Sequence, residues 1–358
     1  MRDILALGAE GKCAFSVLTN DGLYHGEPFG SLREAATLFA YETAIHAYLK
    51  QNKIKPDLIV CDMHPDYSST HLAEKLQKEY KNSELVKIQH HQAHIAGAMW
   101  DNGLLEKVIG VAFDGTGYGT DGKSWGGEFM FADTGKFDRR FHLEYVPVPG
   151  GDAAAKEIWR MGAAYLIGAF GDGFVTKNRR FRERIGAKKV DMLKQMINKG
   201  INSPGSSGAG RLFDAVASIL GICDEAAFEA EGAIMLEKKA DAGIGEFYEF
   251  EIKELEISVE PMIRQIVDDI DKKLAPGVIS AKFHNTVGEV IFAAASAMHE
   301  ESGLGKVVIS GGCFQNKYLV NYLEKRFNGS EMELFKHKKF STTDIGVSVG
   351  QAIVAASI

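Results

Sequence analysis

The sequence predicts an α/β fold in two lobes, each built on the same order of elements, β-β-β-α-β-α-β-α. One observation is that a triplet of short apolar runs separated by turn residues occurs twice, at residues 3–28 and 108–148. Another is that alternating helix and strand patterns follow each triplet. A third is the length of 358 residues with 45% apolar and 25% charged residues, which is typical of a globular protein with a large core.

The first repeat occupies residues 1–105, which we predict to form lobe one. Its three strands are DILALGA, CAFSVLT and LYHGE, separated by glycine and by Asn20-Asp21. The elements expected after them are a helix at 31–51, the strand IKPDLIVCD, a helix at 68–79, a strand at 84–88 and a helix beginning at His90.

The second repeat occupies residues 106–358, which we predict to form lobe two. Its strands are VIGVAFD, WGGEFMFAD and a third near residues 141–148. A helix at 153–168 is followed by a mostly helical insertion at about 170–280. The remaining elements are the strand KVVISGG, a helix at 314–325, a strand at 331–335 and a final helix at 343–357, a candidate to pack at the lobe interface.

A duplicated unit of this kind is the arrangement of the superfamily that contains actin, the heat-shock chaperone ATPases and the sugar kinases. In this arrangement two lobes face each other across a cleft, and the ends of strands carry ligand groups into it. We therefore expect functional side chains where strands end at the cleft.

The composition limits the classes of partner. A net charge of -7 and a pI of about 5.9 give no general attraction to nucleic acid, and no apolar run is long enough to cross a bilayer. The four cysteines form no CxxC pair, so we expect reduced thiols in a cytoplasmic protein. The basic stretch at 177–199 is predicted to be a solvated helix face, with a docking patch for an acidic segment as the alternative.

A metal site is predicted from two segments in which a short apolar run breaks into a helical pattern. His90 and His94 are four residues apart, so on a helix they share one face and can converge on one ion. Imidazole pairs completed by carboxylates suit zinc or iron. The duplication indicates that a carboxylate comes from the equivalent point of the second repeat, where Asp344 lies.

Glycine-rich hairpins in both repeats are candidates to approach a phosphate. Residues 117–124 match the P-loop pattern, but strand material follows them, whereas a P-loop needs a helix. We therefore predict the hairpin of lobe two, with Asp114 at the end of the strand before it and Gly115 beside it. The hairpin of lobe one contains Glu10 and Lys12, and an ordinary hairpin with an exposed lysine is the alternative there.

An adenosine site is predicted where the strand KVVISGG ends. Gly311 and Gly312 leave room for a flat ring against the backbone, and Asn316 is placed to hydrogen-bond it or a phosphate. Asp214 is expected near the ribose, with a surface acid on an amphipathic helix as the alternative.

Taken together, the segments resemble the C-terminal carbamoyltransferase domain of the HypF family, which serves maturation of [NiFe] hydrogenases. The resemblance covers nearly the whole chain and follows a fixed order. The segments that carry it are CDMHPDYSST, IQHHQAHIAGAM, VIGVAFDGTGYGTDGKSWGGEF, VPVPGGDAAAKEIWRM, SSGAGRLFDAVASILG, EAEGAIMLE, KFHNTVGEVI, VISGGCFQNKYL and TTDIGVSVGQA.

The resemblance implies a site and a reaction. A divalent metal, iron or zinc, would be held by His90, His94, Asp114 and Asp344. The nucleotide would be bound by Glu10, Lys12, Gly115, Asp214, Gly232, Gly311, Gly312 and Asn316, with Lys12 and Asp114 as the catalytic residues and Mg²⁺ as a further candidate cofactor. An ATP/AMP-type nucleotide would enter as carbamoyl-adenylate, and the carbamoyl group would pass to the C-terminal cysteine thiol of a HypE-type partner.

Two departures from the family pattern bear on this expectation. Full-length relatives carry a YrdC-like domain that forms carbamoyl-adenylate, and it is absent here, so a separate domain or subunit is expected to supply the adenylate. Leu236 stands where relatives often have an acidic residue near the nucleotide.

Three other functions share parts of this pattern. They are tRNA threonylcarbamoyl transfer, small-molecule O-carbamoyl transfer and a non-catalytic nucleotide-gated binding module. The acidic net charge argues against the first. The imidazole ligands argue against the last, since an ATP switch that uses Mg²⁺ needs oxygen ligands.

Overall fold

The computed structural model describes residues 2–358, with the side chain of Asp172 left aside. Lobe one contains a five-stranded sheet in the order β3-β2-β1-β4-β5. The strands β1, β2 and β3 form an antiparallel triplet, and β4 and β5 continue parallel to β1. The bounds are β1 Ile4–Ala6, β2 Ser16–Thr19, β3 Gly22–His25, β4 Leu58–Asp62 and β5 Glu84–Ile88, with helices α1 Ala35–Gln51, α2 Ser68–Glu79 and α3 His90–Asp101.

Lobe two repeats this topology. Its strands β8, β7 and β6 form an antiparallel triplet, and β13 and β14 continue parallel to β6, so the order β8-β7-β6-β13-β14 matches that of lobe one. The duplicated α/β fold is therefore confirmed. The bounds are β6 Val108–Tyr118, β7 Ser124–Ala132, β8 Phe137–Leu143, β9 Val146–Pro147, β10 Gly205–Ser206, β11 Glu251–Lys253, β12 Glu256–Ser258, β13 Lys306–Ser310 and β14 Glu333–Phe335.

The helices of lobe two lie mainly in the predicted insertion. Three short strands, β10, β11 and β12, also form there, and β12 extends the sheet by pairing parallel with β8. The bounds are α4 Trp159–Phe170, α5 Phe174–Lys177, α6 Arg179–Ile185, α7 Ala187–Asn198, α8 Ala209–Ile219, α9 Glu231–Lys239, α10 Glu260–Asp271, α11 Pro276–Ser302, α12 Lys317–Phe327 and α13 Val347–Ala356.

Some predicted bounds shift where turns intervene. The third strand of lobe two, expected near 141–148, lies at Phe137–Leu143. The helix expected at 153–168 is a 3-10 turn at Gly151–Ala155 followed by α4, and 3-10 turns also precede α12 and α13. The segment after Gly122 forms β7, so the hairpin replaces the P-loop as predicted.

The last helices of the two repeats are exchanged between the sheets. Helix α3 follows the sheet of lobe one in the chain but packs against β6, β7 and β13 of lobe two, while α13 packs against the sheet of lobe one. One face of α3, with Ala93 and Ala96, joins the core around α13, and the opposite face, with Ile95 and Met99, joins the core of lobe two. The two helices therefore form a common layer between the sheets.

Small residues allow α3 and α13 to approach closely. A Cβ added to Gly350 would lie 1.7 Å from the carbonyl oxygen of Ala93, so only glycine fits at position 350. None of the helices in the described part of the chain is both long and apolar enough to cross a membrane.

Candidate metal centre and nucleotide cavity

The start of α3 places two imidazoles at the end of the lobe-one sheet. The side chain of Gln89 caps the helix by accepting a hydrogen bond from the backbone N–H of Gln92 at 2.9 Å. His90 and His94 follow on one face, and both are almost fully buried. The helix therefore fixes two nitrogen ligands before any ion is present.

Two carboxylates meet these imidazoles from lobe two. Asp114 lies in β6 where the pairing with β7 shifts register, and Asp344 opens the 3-10 turn before α13. Backbone N–H groups of Gly115 and Gly312 donate to Asp114 Oδ1 at 2.8 and 3.2 Å, so Oδ2 is the oxygen that faces the histidines. The structure brings together all four residues predicted as ligands, with their ligand atoms within 4.8 Å of one another.

The spacing of these atoms fits a metal ion. Nε2 of His90 lies 3.4 Å from Asp114 Oδ2 and 3.6 Å from Asp344 Oδ1, and Nε2 of His94 lies 3.4 and 3.7 Å from the same oxygens. Ligand atoms about 2.1 Å from a tetrahedral ion lie roughly 3.4 Å apart. His94 Nε2 is buried and has no hydrogen-bond partner among the described residues, as expected of a ligand atom.

The charges of the four groups are interdependent. Burial alone would lower the pKa of His90, but its contacts with Asp114, Asp344 and Asp62 outweigh burial and raise that pKa well above its usual range. Burial would raise the pKa of Asp114, yet the two histidines hold it well below its usual range. In a donor set of two imidazoles and two carboxylates, a divalent cation can take the place of the protons that the imidazoles share with the carboxylates.

Each histidine has a partner on its outer side that the sequence did not reveal. Nδ1 of His90 lies 2.8 Å from Oδ2 of Asp62, a fully buried carboxylate at the end of β4. Because a carboxylate accepts, Nδ1 carries the proton and Nε2 is left for the ion. The sequence feature that could have identified Asp62 is its position, since Asp62, like Asp114, lies towards the carboxyl end of an interior strand.

The partner of His94 is a neutral hydroxyl. Its Nδ1 lies 3.2 Å from Oγ of Ser310, which in turn lies 2.9 Å from Nε2 of His337. Both belong to the second repeat, Ser310 at the end of β13 and His337 after β14. His337 is far from the other histidines in the chain, so sequence spacing gives no sign of this contact.

A cavity of about 330 Å³ adjoins the four-residue cluster, because Asp114 and Asp344 belong to its wall. Most of the residues predicted to bind nucleotide line the cavity, namely Lys12, Gly115, Asp214, Gly312 and Asn316. The remaining three, Glu10, Gly232 and Gly311, are not in its wall.

The three residues outside the wall have other contacts. The carboxylate of Glu10 accepts hydrogen bonds from the backbone N–H and the hydroxyl of Ser68 at 2.6 and 2.8 Å, at the start of α2. A Cβ on Gly311 would lie 2.2 Å from the carbonyl oxygen of Phe113, so this glycine allows the end of β13 to lie against β6. Gly232 lies behind Asp214, with Oδ1 of Asp214 3.6 Å from the position of its missing Cβ.

Two of the residues in the wall are already engaged. Oδ1 of Asn316 caps α12 by accepting from the N–H of Leu319 at 2.9 Å, and Nδ2 of Asn316 donates to Nε2 of His284 at 2.8 Å. Nζ of Lys12 lies 3.1 Å from Oε2 of Glu229, so this ion pair joins the hairpin of lobe one to lobe two.

The cavity wall also contains charged residues that the sequence did not predict, Arg211, Glu229 and Glu237. Glu237 accepts hydrogen bonds from the backbone N–H groups of Lys317 and Tyr318 at 2.7 and 3.3 Å. The preceding residue, Leu236, is fully buried. The acidic side chain in this part of the cavity wall therefore belongs to Glu237, one residue after the position at which relatives often have it.

Family models match almost the whole chain. Residues 1–101 match the HypF Kae1-like domain, and residues 110–351 match the second subdomain of the carbamoyltransferase Kae1-like domain. The two models meet where the structure passes from α3 to β6.

Curated relatives cover the chain from end to end. The chain is 32% identical over 98% of its length to carbamoyltransferase HypF2 of Cupriavidus necator and spans 46% of that protein. It is 31% identical over 98% of its length to a probable carbamoyltransferase HypF of Methanocaldococcus jannaschii, again spanning 46% of that protein. A carbamoyltransferase HypF homolog of Cupriavidus necator is 32% identical over 99% of the chain, which spans 91% of it.

Two solved structures superimpose on the chain. Full-length HypF in a phosphate- and nucleotide-bound form matches with a TM-score of 0.93 at 36% identity, covering 100% of this chain and 55% of that protein. HypF of T. kodakarensis matches with a TM-score of 0.91 at 31% identity, covering 99% of this chain and 47% of that protein. The duplicated fold, both family models and these relatives show that the chain belongs to the HypF carbamoyltransferase family.

Proposed function

We propose that this chain transfers the carbamoyl group of carbamoyl-adenylate to the C-terminal cysteine thiol of a HypE-type partner. The observation that carries the proposal is the junction of the four-residue cluster with the cavity, since Asp114 and Asp344 belong to both. A nucleotide in the cavity would bring its reactive end beside the ion that His90 and His94 help to hold. When bound, a divalent iron or zinc ion supplies a Lewis acid for an oxygen of the adenylate.

We assign the acceptor thiol to another molecule, because burial raises the pKa of each of the chain's own thiols above its ordinary value. Burial raises the pKa of both Cys13 and Cys61 to about 12. Cys313 lines the cavity, but burial raises its pKa well above the ordinary value. The thiolate is the nucleophilic form of cysteine, so none of these side chains competes with a partner's cysteine.

The transfer step exchanges one bond for another. The partner's thiolate sulfur attacks the carbamoyl carbon, the bond from that carbon to the phosphate oxygen breaks, and AMP leaves with the electron pair. Lys12 lies in the cavity wall, where its ammonium offsets the negative charge of the departing phosphate. Asp114 would contribute by helping to hold the ion beside the cavity.

The carbamoyl-adenylate is proposed to come from a YrdC-like domain or subunit. The chain spans about half the length of several curated relatives, so we assign the transfer to the acceptor to this chain and formation of the adenylate to a domain that it does not match. Water would hydrolyse a mixed anhydride, so the wall formed by both lobes has a second role in excluding water from the cavity.

The test is to mix the purified, metal-loaded chain with synthetic carbamoyl-adenylate and a HypE-type acceptor, and to measure the acceptor's mass. We expect a gain of one carbamoyl group, located at the terminal cysteine by peptide mapping. A matched acceptor with that cysteine changed to serine should gain none. An unmodified acceptor would contradict the proposal, and carbamoylation of added sugars instead would assign the chain to O-carbamoyl transfer.

A further inference from the structure

The cavity has few cations for an anionic ligand. Its wall contains two, Lys12 and Arg211, against five carboxylates. Those carboxylates are Asp114, Asp214, Glu229, Glu237 and Asp344. An adenylate carries a negative phosphate, and such a wall repels it except near these two side chains and near any cation that the four-residue cluster holds. The location of the two cations therefore limits where a phosphate can bind.

Arg211 lies between the second hairpin and Asp214. Its Nη2 is 2.9 Å from Oδ2 of Asp214, and a Cβ on Gly115 would lie 3.7 Å from the same nitrogen. Gly210 permits this placement, because its missing Cβ would lie 2.9 Å from Cα of Gly115. The guanidinium is thus held beside the hairpin, next to the strand that carries Asp114.

The guanidinium keeps donors for a ligand. It has five N–H groups in a rigid fork, a shape that matches the oxygens of phosphate. Asp214 forms an ion pair with Nη2, while Nε of Arg211 and Oδ2 of Asp214 are both buried without a hydrogen-bond partner among the described residues. Burial raises the pKa of Asp214 even though Arg211 opposes the shift, which indicates that the carboxylate is strongly desolvated.

Lys12 is expected to bind a phosphate less strongly than Arg211. Its side chain is 47% exposed and pairs with Glu229, which is 73% exposed, whereas the side chain of Arg211 is 18% exposed. Ion pairs and phosphate contacts in a partly buried position are less screened by solvent. Of the two cations, Arg211 is therefore better placed to discriminate between ligands with and without a phosphate.

We propose that Arg211 binds the phosphate of the nucleotide, with Oδ2 of Asp214 holding the guanidinium in place. This inference rests on the proposed function for the identity of the ligand as an adenylate. It adds a specificity-determining residue that would make the chain prefer nucleoside monophosphates over nucleosides.

The test compares binding of AMP and adenosine by calorimetry for the wild type and Arg211→Gln. Charge-assisted hydrogen bonds contribute enough that we expect Arg211→Gln to lose about 10-fold or more of AMP affinity while adenosine affinity stays unchanged. The double variant Arg211→Gln/Asp214→Asn removes the carboxylate that the single variant leaves buried and unpaired, so it separates misfolding from loss of the phosphate contact. It should show the same loss of preference for AMP.

The outcomes distinguish this inference from the proposed function. If the wild type prefers AMP and Arg211→Gln keeps that preference, the phosphate lies elsewhere and the inference is wrong while the proposed function stands. If both ligands weaken equally in both variants, Arg211 is only structural, and the inference is again wrong. If the wild type binds neither ligand, the proposed adenylate site fails, and this inference fails with it.

Discussion

The two repeats end at equivalent points but supply different chemistry. In the first, β5 ends at Ile88 and α3 begins at His90 with imidazoles on its first turns. In the second, β14 ends at Phe335, and a longer segment leads to Asp344 just before α13. The histidine side chains are 1% exposed, whereas those of Asp114 and Asp344 are 13% and 31% exposed. The first repeat thus forms the closed, buried side of the cluster. The second repeat forms the open side, which faces the cavity.

The exchange of helices explains how a duplicated fold can form one site from both repeats without relying on a hinge between them. Each repeat packs its last helix on the other repeat's sheet, so His90, His94 and Asp344 lie in or next to a packed layer between the lobes, while Asp114 lies in β6. A site of this kind is fixed by core packing rather than by the degree of lobe closure. Of the four residues of the cluster, only the carboxylates Asp114 and Asp344 belong to the cavity wall.

The largest effect should come from removing a ligand on the closed side. His90→Ala deletes a buried nitrogen of the proposed ligand set. Because loss of an outer partner alone costs 10- to 100-fold in metal affinity, we expect that affinity to fall about 100-fold or more. Asp344→Asn keeps an oxygen at the open side and should lose less. Elemental analysis after chelation and reloading measures the bound metal, and the acceptor assay measures transfer. A His90→Ala protein with one metal equivalent and full transfer would show that the ligand assignment is wrong.

The next effect tests the contact between the exchanged helices. Gly350→Ala places a methyl group 1.7 Å from the carbonyl oxygen of Ala93, so we expect a loss of about 3 kcal/mol in the free energy of unfolding, as in other overpacked cores. Gly97→Ala is the matched control at the same crossing, because its nearest atom would be 3.4 Å away. It should change the stability by less than about 1 kcal/mol.

Denaturant unfolding of both variants gives the two free energies, and a metal titration shows whether the shifted helices still hold the ion. We expect Gly350→Ala to bind metal more weakly than Gly97→Ala even under conditions in which both are folded. Equal stability of the two variants would mean that the helices can separate without cost, against the idea of a rigid central layer.

The sequence predicts the sheets and the ligands but not the exchange of helices. Apolar runs alternating with turn residues define both strand triplets, and the four-residue spacing of His90 and His94 defines one helical face. The structure confirms the duplicated fold that these local patterns indicate. Which sheet a helix packs against depends on tertiary contacts that local sequence patterns do not contain. In the sequence, the small residues Gly97 and Gly350 are the sign of the crossing.

The cavity shows a second limit of sequence reasoning. Lys12 and Asp214, which the sequence pattern indicates, lie in its wall, while Glu10, which the family resemblance implies, lies outside it and accepts a hydrogen bond from Ser68. Asp62 and Arg211 could not be assigned from spacing, because their contacts join elements that are far apart in the chain or depend on side-chain direction. Partners of this kind become visible only when distances are known.

A smaller loss of metal affinity is expected from changing Asp62 or Ser310, the residues that contact the outer nitrogens of the histidines, and its size should differ between the two. Asp62 is a buried carboxylate 2.8 Å from His90, whereas Ser310 is a neutral hydroxyl 3.2 Å from His94. Asp62→Asn should therefore weaken metal binding about 10- to 100-fold, and Ser310→Ala by less than about 10-fold. Competition with a metal-binding dye measures both. If Ser310→Ala costs more than Asp62→Asn, the contact of Ser310 with His337 matters more than the charge of Asp62.

The smallest effect should come from the ion pair that spans the lobes at the cavity mouth. Lys12 and Glu229 are both largely exposed, and exposed pairs contribute roughly 0–1 kcal/mol, so Glu229→Gln should change the free energy of unfolding by less than about 1 kcal/mol. The same change removes a negative charge from the cavity wall and frees Lys12, so AMP should bind up to about 5-fold more tightly, while Lys12→Gln should shift affinity the other way. Calorimetry at low and high salt measures both, and the gain should shrink as salt rises. A loss of several kcal/mol in Glu229→Gln would instead show that the lobes are held together at the mouth of the cavity rather than by the exchanged helices beneath it.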